Sequence, residues 1–229
     1  MKASTAHAGR FRASTNKAAK FCEDLGLIRW HNPLPSYPDR IVSAARQSSY
    51  RTEWEMYIAG SHYDIILDDG SIFQFKNQPR QKSSLSYTFY ECPLEALTYA
   101  EFVKDVYGVE RVGFDVLDEY EMYLAQCVER DHVTPVRYDY SPELYRQGAH
   151  PASHIHFGRQ SEIRTSCRRI MQPMAFVLFV IRQFYPNTWE AKFHLRDDAE
   201  QLARQVRAEL VEVDAGMFSG KDLWEIYLH

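Results

Sequence analysis

The stretch HYDIILDDGSIFQFK, residues 62–76, constrains this chain more than any other. Successive side chains of a strand point to opposite faces, so an alternating run flanked by turn residues reads as half of a sheet. Tyr63–Leu67 and Ser71–Lys76 are such runs, joined by Asp68-Asp69-Gly70. A two-residue loop at Asp69-Gly70 would set Ile65 opposite Gln74 and mix polar with apolar side chains on each face. A three-residue loop puts Gly70 in the left-handed position of a bulged turn. That register gathers Tyr63, Ile65, Phe73 and Phe75 on one face, and His62, Asp64, Gln74 and Lys76 on the other. The segregation favours the three-residue loop.

The remaining elements follow from pattern and punctuation. Ser14, Thr15 and Asn16 can open a helix to about Leu25, stopped at Gly26. Three prolines make Asn32–Pro38 a loop, and Asp39 is placed to cap a helix over Arg40–Ser49. Glu53–Ala59 fits helix or strand. Ser86–Tyr90, Val136–Tyr140 and Ser153–Phe157 read as strands, and Leu94–Tyr107 and Leu117–Arg130 as helices. Pro173 suits the first turn of a nearly all-apolar helix, Met174–Phe184, which must be central. Leu195–Leu210 is an amphipathic helix, and Leu223–Leu228 a final strand. Strands that arrive as neighbours, not in strict alternation with helices, indicate an α+β fold with a mainly antiparallel sheet packed against helices. A single domain over 1–229 is expected, with a basic helical segment at 1–30, a core at 60–190 and a C-terminal helix and strand at 191–229.

Composition excludes several classes. A chain of 229 residues that is 45% hydrophobic can bury a core without staples. Cys22, Cys92, Cys127 and Cys167 form no CxxC pair, so neither a disulfide framework nor a zinc finger is expected, and reduced thiols in a cytoplasmic protein are. No apolar run is long enough to span a membrane. The first 21 residues are basic without an apolar core, which excludes a secretory signal and leaves an exposed helix or a transit peptide. The net charge is −4, yet residues 146–169 hold five arginines and three histidines against one glutamate. That local excess suits phosphate. No P-loop, dinucleotide fingerprint, HExxH or GxSxG is present, so no nucleotide cofactor is expected.

Two groups carry candidate chemistry. The hairpin resembles the signature of restriction-endonuclease-like nucleases, where an acid begins one strand and an acid-x-Lys pair lies on the next. The resemblance implies that Asp64 and Gln74 bind Mg²⁺ and that Lys76 positions water, with glutamine standing in for an acid. The bland alternative is the polar side of a half-solvated sheet. The second group is GAHPASHIHFG, residues 148–158, which puts His154 and His156 on one face of a strand while His150 approaches from its entrance. Imidazoles titrate near neutrality, so three together can bind a metal or move protons on a phosphodiester. Asp139 can add a carboxylate ligand or orient a histidine, and Arg159, Arg164, Arg168 and Arg169 can hold phosphate oxygens. The alternative is a structural histidine pair bonded to neighbouring backbone.

DDGSIFQF, TFYECP, VRYDY, HPASHIHFG, CRRI and QPMAFVLFVIRQFY, in this order from Tyr63 to Trp189, resemble a bacterial domain-of-unknown-function family carrying an HPxSHxHxG motif. The matching residues are Ser71, Gln74, Asp139, His150, Ser153, His154, His156 and Gly158, while the loop Asn77–Ser84 and the arginine pair 168–169 diverge. Members resemble accessory proteins of helicase-associated antiphage defence. The resemblance implies a role on nucleic acid, DNA or RNA, beside a helicase-like partner. Three functions stay open: a nuclease or phosphodiesterase using a divalent metal, Mg²⁺ or Mn²⁺ ahead of Zn²⁺; a non-catalytic adaptor; or a toxin-like effector silenced by a partner.

Overall fold

The computed structural model describes residues 2–78, 84–109, 116–159, 163–193, 196–220 and 222. Its elements run α1 (Lys2–Asp24), β1 (Ile28–His31), α2 (Asp39–Gln47), α3 (Tyr50–Ala59), β2 (Ile65–Leu67), β3 (Ile72–Gln78), β4 (Ser84–Tyr90), α4 (Tyr99–Tyr107) and α5 (Leu117–Gln126). Then come β5 (Val136–Tyr140), β6 (Ser153–Phe157), β7 (Thr165–Ser166), β8 (Arg169–Ile170), α6 (Pro173–Phe184), α7 (Pro186–Lys192), α8 (Arg196–Ala208) and β9 (Val211–Glu212). Strands β1 to β7 form one antiparallel sheet in sequence order, and β8 pairs with β9. The fold is α+β. No helix among the described residues is long and apolar enough to cross a membrane. The chain divides into two compact units, one of residues 1–25, 75–89 and 135–229, the other of 26–74 and 90–134.

The second unit contains the hairpin. Ile65 pairs with Phe73 and Ile66 with Ile72, which is the register of the three-residue turn. Gly70 sits at φ +86°, as that turn demands, and its N–H returns to the Leu67 carbonyl. Before Ile65 the ladder departs from the simple alternation: the Asp64 N–H donates to the Phe73 carbonyl. Trp54, Tyr57, Tyr63, Ile66, Ile72, Leu94, Phe102 and Tyr120 form the core of this unit. The ambiguous segment at 53–59 is helix α3, capped by the Ser49 hydroxyl and fastened by the Trp54 indole N–H on the Gly70 carbonyl at 2.9 Å. Burial of Trp54 and Tyr57 on one face decides a choice that local propensity left open.

The first unit carries the three strands that matter most here. β4, β5 and β6 pair in a continuous antiparallel register, with Ser86 opposite Asp139 and Asp139 opposite His154. Period two therefore splits the sheet cleanly. Leu85, Tyr87, Phe89, Val136, Tyr138 and Ile155 are buried on one face, where Tyr87 meets Phe176 and Phe89 meets Phe184 of α6. Each such side chain contributes on the order of 2 kcal/mol by leaving water. The opposite face is polar. Helix α6 is central, as its apolar run requires, and its buried first-turn N–H at Met174, which has no acceptor within the helix, is satisfied by the Ser14 hydroxyl of α1 at 3.0 Å.

Several boundaries differ from the sequence reading. α1 begins at Lys2 and carries Ser14 and Thr15 within it as buried residues, not as its cap. Asp39 lies in the first turn of α2, and Pro38 occupies the cap position without a side-chain bond. α4 starts at Tyr99, because Thr98 and Glu101 form a capping box there. The short strands β1, β7, β8 and β9 and the short helix α7 have too few residues to show a period. The proposed strand at 223–228 lies outside the described residues.

Candidate metal centre on the polar face of β5 and β6

Alternation delivers the site. On β5 it turns Arg137 and Asp139 to the polar face, and on β6 it turns His154 and His156 to the same side. One ligand atom from each of Asp139, His154 and His156 lies within 4.8 Å of the others. Ligands sharing a tetrahedral ion at about 2.1 Å are about 3.4 Å apart, so small side-chain rotations close the set. The three rings of His150, His154 and His156 stand in a row, with centroids 4.9 and 4.7 Å apart and edges toward faces.

The protonation pattern suits a cation. His154 Nδ1 lies 2.8 Å from the Pro151 carbonyl, which only accepts, so Nδ1 carries the proton and Nε2 keeps its lone pair. Burial, then the neighbouring His156, lowers the His154 pKa to about 4, and the ring is neutral near pH 7. Burial alone would raise the Asp139 pKa. The His156 hydrogen bond, the Arg137 guanidinium and the Ser86 hydroxyl outweigh it and bring the carboxyl to about 2. Arg137 Nε donates to Asp139 at 2.8 Å, Ser86 Oγ donates at 2.8 Å, and His156 Nε2 stands 3.5 Å away. A fixed carboxylate thus faces an imidazole whose basic nitrogen is aimed by its own carbonyl partner.

His154 and His156 are 1% and 3% exposed, whereas the Asp139 and Arg137 side chains are 19% and 41% exposed. His150 is half-buried, and its Nδ1 has no hydrogen-bond partner among the described residues. Burial lowers its pKa first, and the charge of Arg164 lowers it further. Thus Arg164, half-buried after β6, acts on the histidine row.

Other expected residues go elsewhere. Arg169 donates to the carbonyls of Arg207 and Leu210, closing the C-terminal end of α8, and to Glu212 at 3.2 Å. Arg168 is exposed and faces Glu212 at 3.7 Å. These two arginines fasten β8 and β9. Arg159 is half-buried beside Gly158, whose φ of +84° turns the chain out of β6. In the other unit Asp64 is buried and accepts from the Tyr37 hydroxyl. Gln74 donates to the His62 carbonyl at 2.7 Å, while its buried Oε1 has no hydrogen-bond partner among the described residues. Lys76 follows Gln74 by two residues on β3 and belongs to the first unit. Ser71 and Ser153 serve the backbone: Ser71 Oγ accepts from the Cys92 N–H, and Ser153 Oγ donates to the Arg169 carbonyl. Arg137, Ser86 and the Pro151 carbonyl were not singled out by sequence. Arg137 was findable, since it shares a strand face with Asp139.

Residues 23–218 match the model of a family described as "Uncharacterized conserved protein (DUF2290)". The chain belongs to this family. No curated protein and no solved structure matches it. The family match covers every residue of the candidate centre, from Ser86 to Arg164.

Proposed function

We propose that the chain is a metal-dependent hydrolase acting on phosphodiester bonds of nucleic acid, with Asp139, His154 and His156 as the ligands. The observation that carries this reading is the convergence of one carboxylate and two imidazoles, with His154 Nε2 left unprotonated by the Pro151 carbonyl. Two nitrogens and one oxygen suit Zn²⁺ or Mn²⁺ better than Mg²⁺. Three protein ligands leave a coordination position open, which distinguishes hydrolytic centres from closed structural ones. A bound ion would supply Lewis acidity and a water of lowered pKa.

The chain's own residues then divide the remaining work. Asp139 stays ionised, aligned by Arg137 and Ser86. His150, beside His154 and with a ring nitrogen that meets no partner among the described residues, is placed to accept or return a proton. Arg164 adds positive charge beside His150, the sign a phosphate group requires. The wider setting we propose is a cytoplasmic component of antiphage defence working beside a helicase, and its support is the sequence resemblance. A non-catalytic adaptor is the second reading, favoured by Trp30 and Leu34, which are 62% and 76% exposed at and just after the edge strand β1.

The test is incubation of the purified protein with single- and double-stranded DNA and RNA in the presence of Zn²⁺, Mn²⁺ or Mg²⁺. Cutting that disappears in His154→Ala and His156→Ala, with both variants folded, supports the hydrolase. Intact substrates under every condition, together with capture of a helicase that Trp30→Ala abolishes, would replace it with the adaptor.

A further inference from the structure

We infer that Asp222 is a positioning residue for the histidine row, acting through the turn at 145–150. It lies beyond the family match, which ends at residue 218. The inference rests on the proposed centre.

Asp222 is 1% exposed, and its carboxylate collects four donors. Oδ2 accepts from the Ser219 N–H at 2.7 Å, the Ser219 hydroxyl at 2.9 Å and the Tyr145 hydroxyl at 3.1 Å, and Oδ1 accepts from the Gly148 N–H at 3.3 Å. The Ser219 bonds are local. The other two reach across more than seventy residues to a different segment, the turn that precedes β6. That turn is built for delivery. Arg146 and His150 exchange both backbone hydrogen bonds, at 2.9 and 2.8 Å, and Gly148 at φ +68° lets the chain reverse between them. His150 leaves the turn beside the His154 ring, and the next carbonyl, Pro151, is the one that fixes the His154 proton on Nδ1.

A second anchor lies on the other side of the site. The Ser166 hydroxyl donates to the Asp222 carbonyl at 2.6 Å, and Ser166 is the β7 residue paired with His154. One residue therefore ties the turn carrying His150 and Pro151 to the strand that flanks His154. A buried carboxylate with four donors is a stiff joint, because releasing a donor leaves a desolvated lone pair that water does not reach. A structural role alone would call for a bond anywhere on the loop. These bonds land on Tyr145 and on Gly148, the reversal point of the turn whose exit residues, His150 and Pro151, stand against His154.

The experiment reads His154 directly. Long-range ¹⁵N–¹H NMR of the metal-free protein reports which ring nitrogen is protonated, and titration with Co²⁺ reports affinity. Wild type is expected to show His154 as a single Nδ1–H tautomer. Asp222→Ala is expected to give a tautomer mixture and a Co²⁺ affinity about ten- to a hundredfold lower, the loss found when a ligand's orienting partner is removed. Tyr145→Phe deletes one donor and keeps the ring, so it should give a smaller change in the same direction if Asp222→Ala fails to fold. A folded Asp222→Ala, or a Tyr145→Phe, with an unaltered His154 tautomer would overturn the inference. Absence of Co²⁺ binding by wild type would instead sink the metal centre, and the NMR readout would still decide the role of Asp222.

Discussion

Lowering the pH from 7 to 5 should destabilise the metal-free protein through His154. Its pKa falls from the ordinary 6.5 to about 4 in the folded chain. Because the folded value is depressed, the unfolded chain takes the proton first. The associated stability is complete above pH 6.5 and is lost as the pH falls toward 4. Linkage between those two values gives a loss of about 2 kcal/mol between pH 7 and pH 5. For a chain of this size that corresponds to a drop of about 4–8 °C in Tm. Asp139 adds nothing in this window, since its shift from 3.8 to about 2 acts only at lower pH. His31 and His150 are also lowered and contribute to any variant that keeps them. The informative quantity is therefore the difference between wild type and His154→Asn, in which the amide can still donate to the Pro151 carbonyl. Urea denaturation at pH 7, 6 and 5 measures it. Wild type should lose about 2 kcal/mol more than the variant across that range, and equal losses would refute the burial and neutrality assigned to His154.

Other perturbations test separate joints of the structure. Tyr138→Phe removes the hydroxyl that accepts from the Met171 N–H and bonds Ser153, and should lower stability by about 1–3 kcal/mol in urea denaturation. Ser14→Ala deprives the first turn of α6 of its acceptor and should cost about 0.5–2 kcal/mol by the same assay. Arg169→Ala should lower stability while leaving nucleic-acid affinity unchanged in a filter-binding assay, because its guanidinium is occupied by Arg207, Leu210 and Glu212. Arg164→Ala should weaken binding of nucleic acid to the metal-loaded protein at least severalfold, with a shallower salt dependence.

The strands of the centre were legible because they are long enough to show period two and because turn residues bound them. β5 and β6 fall where VRYDY and SHIHF predict, and the pairing of Asp139 with His154 follows once the two strands are adjacent. The turn register at Gly70 was legible for the same reason: only one loop length segregates the side chains. What the sequence hid is tertiary. Nothing local in CRRI says that Arg169 closes the end of α8 rather than holding phosphate. The starts of α1 and α4 were set by packing and by a capping box inside a longer apolar pattern. The reach of Asp222 to the histidine turn had no local signal, since two of its donors, Tyr145 and Gly148, lie more than seventy residues away.

The most direct test of the proposed centre is metal binding to the purified chain, measured as Co²⁺ absorption with Zn²⁺ competition in wild type and in the Asp139→Asn, His154→Ala and His156→Ala variants. One tightly held ion per wild-type chain, with a visible band of low-symmetry cobalt bound by nitrogen and oxygen that each substitution removes, is the expected result. A wild-type chain that holds no ion, or variants that bind as tightly as it does, would contradict the account.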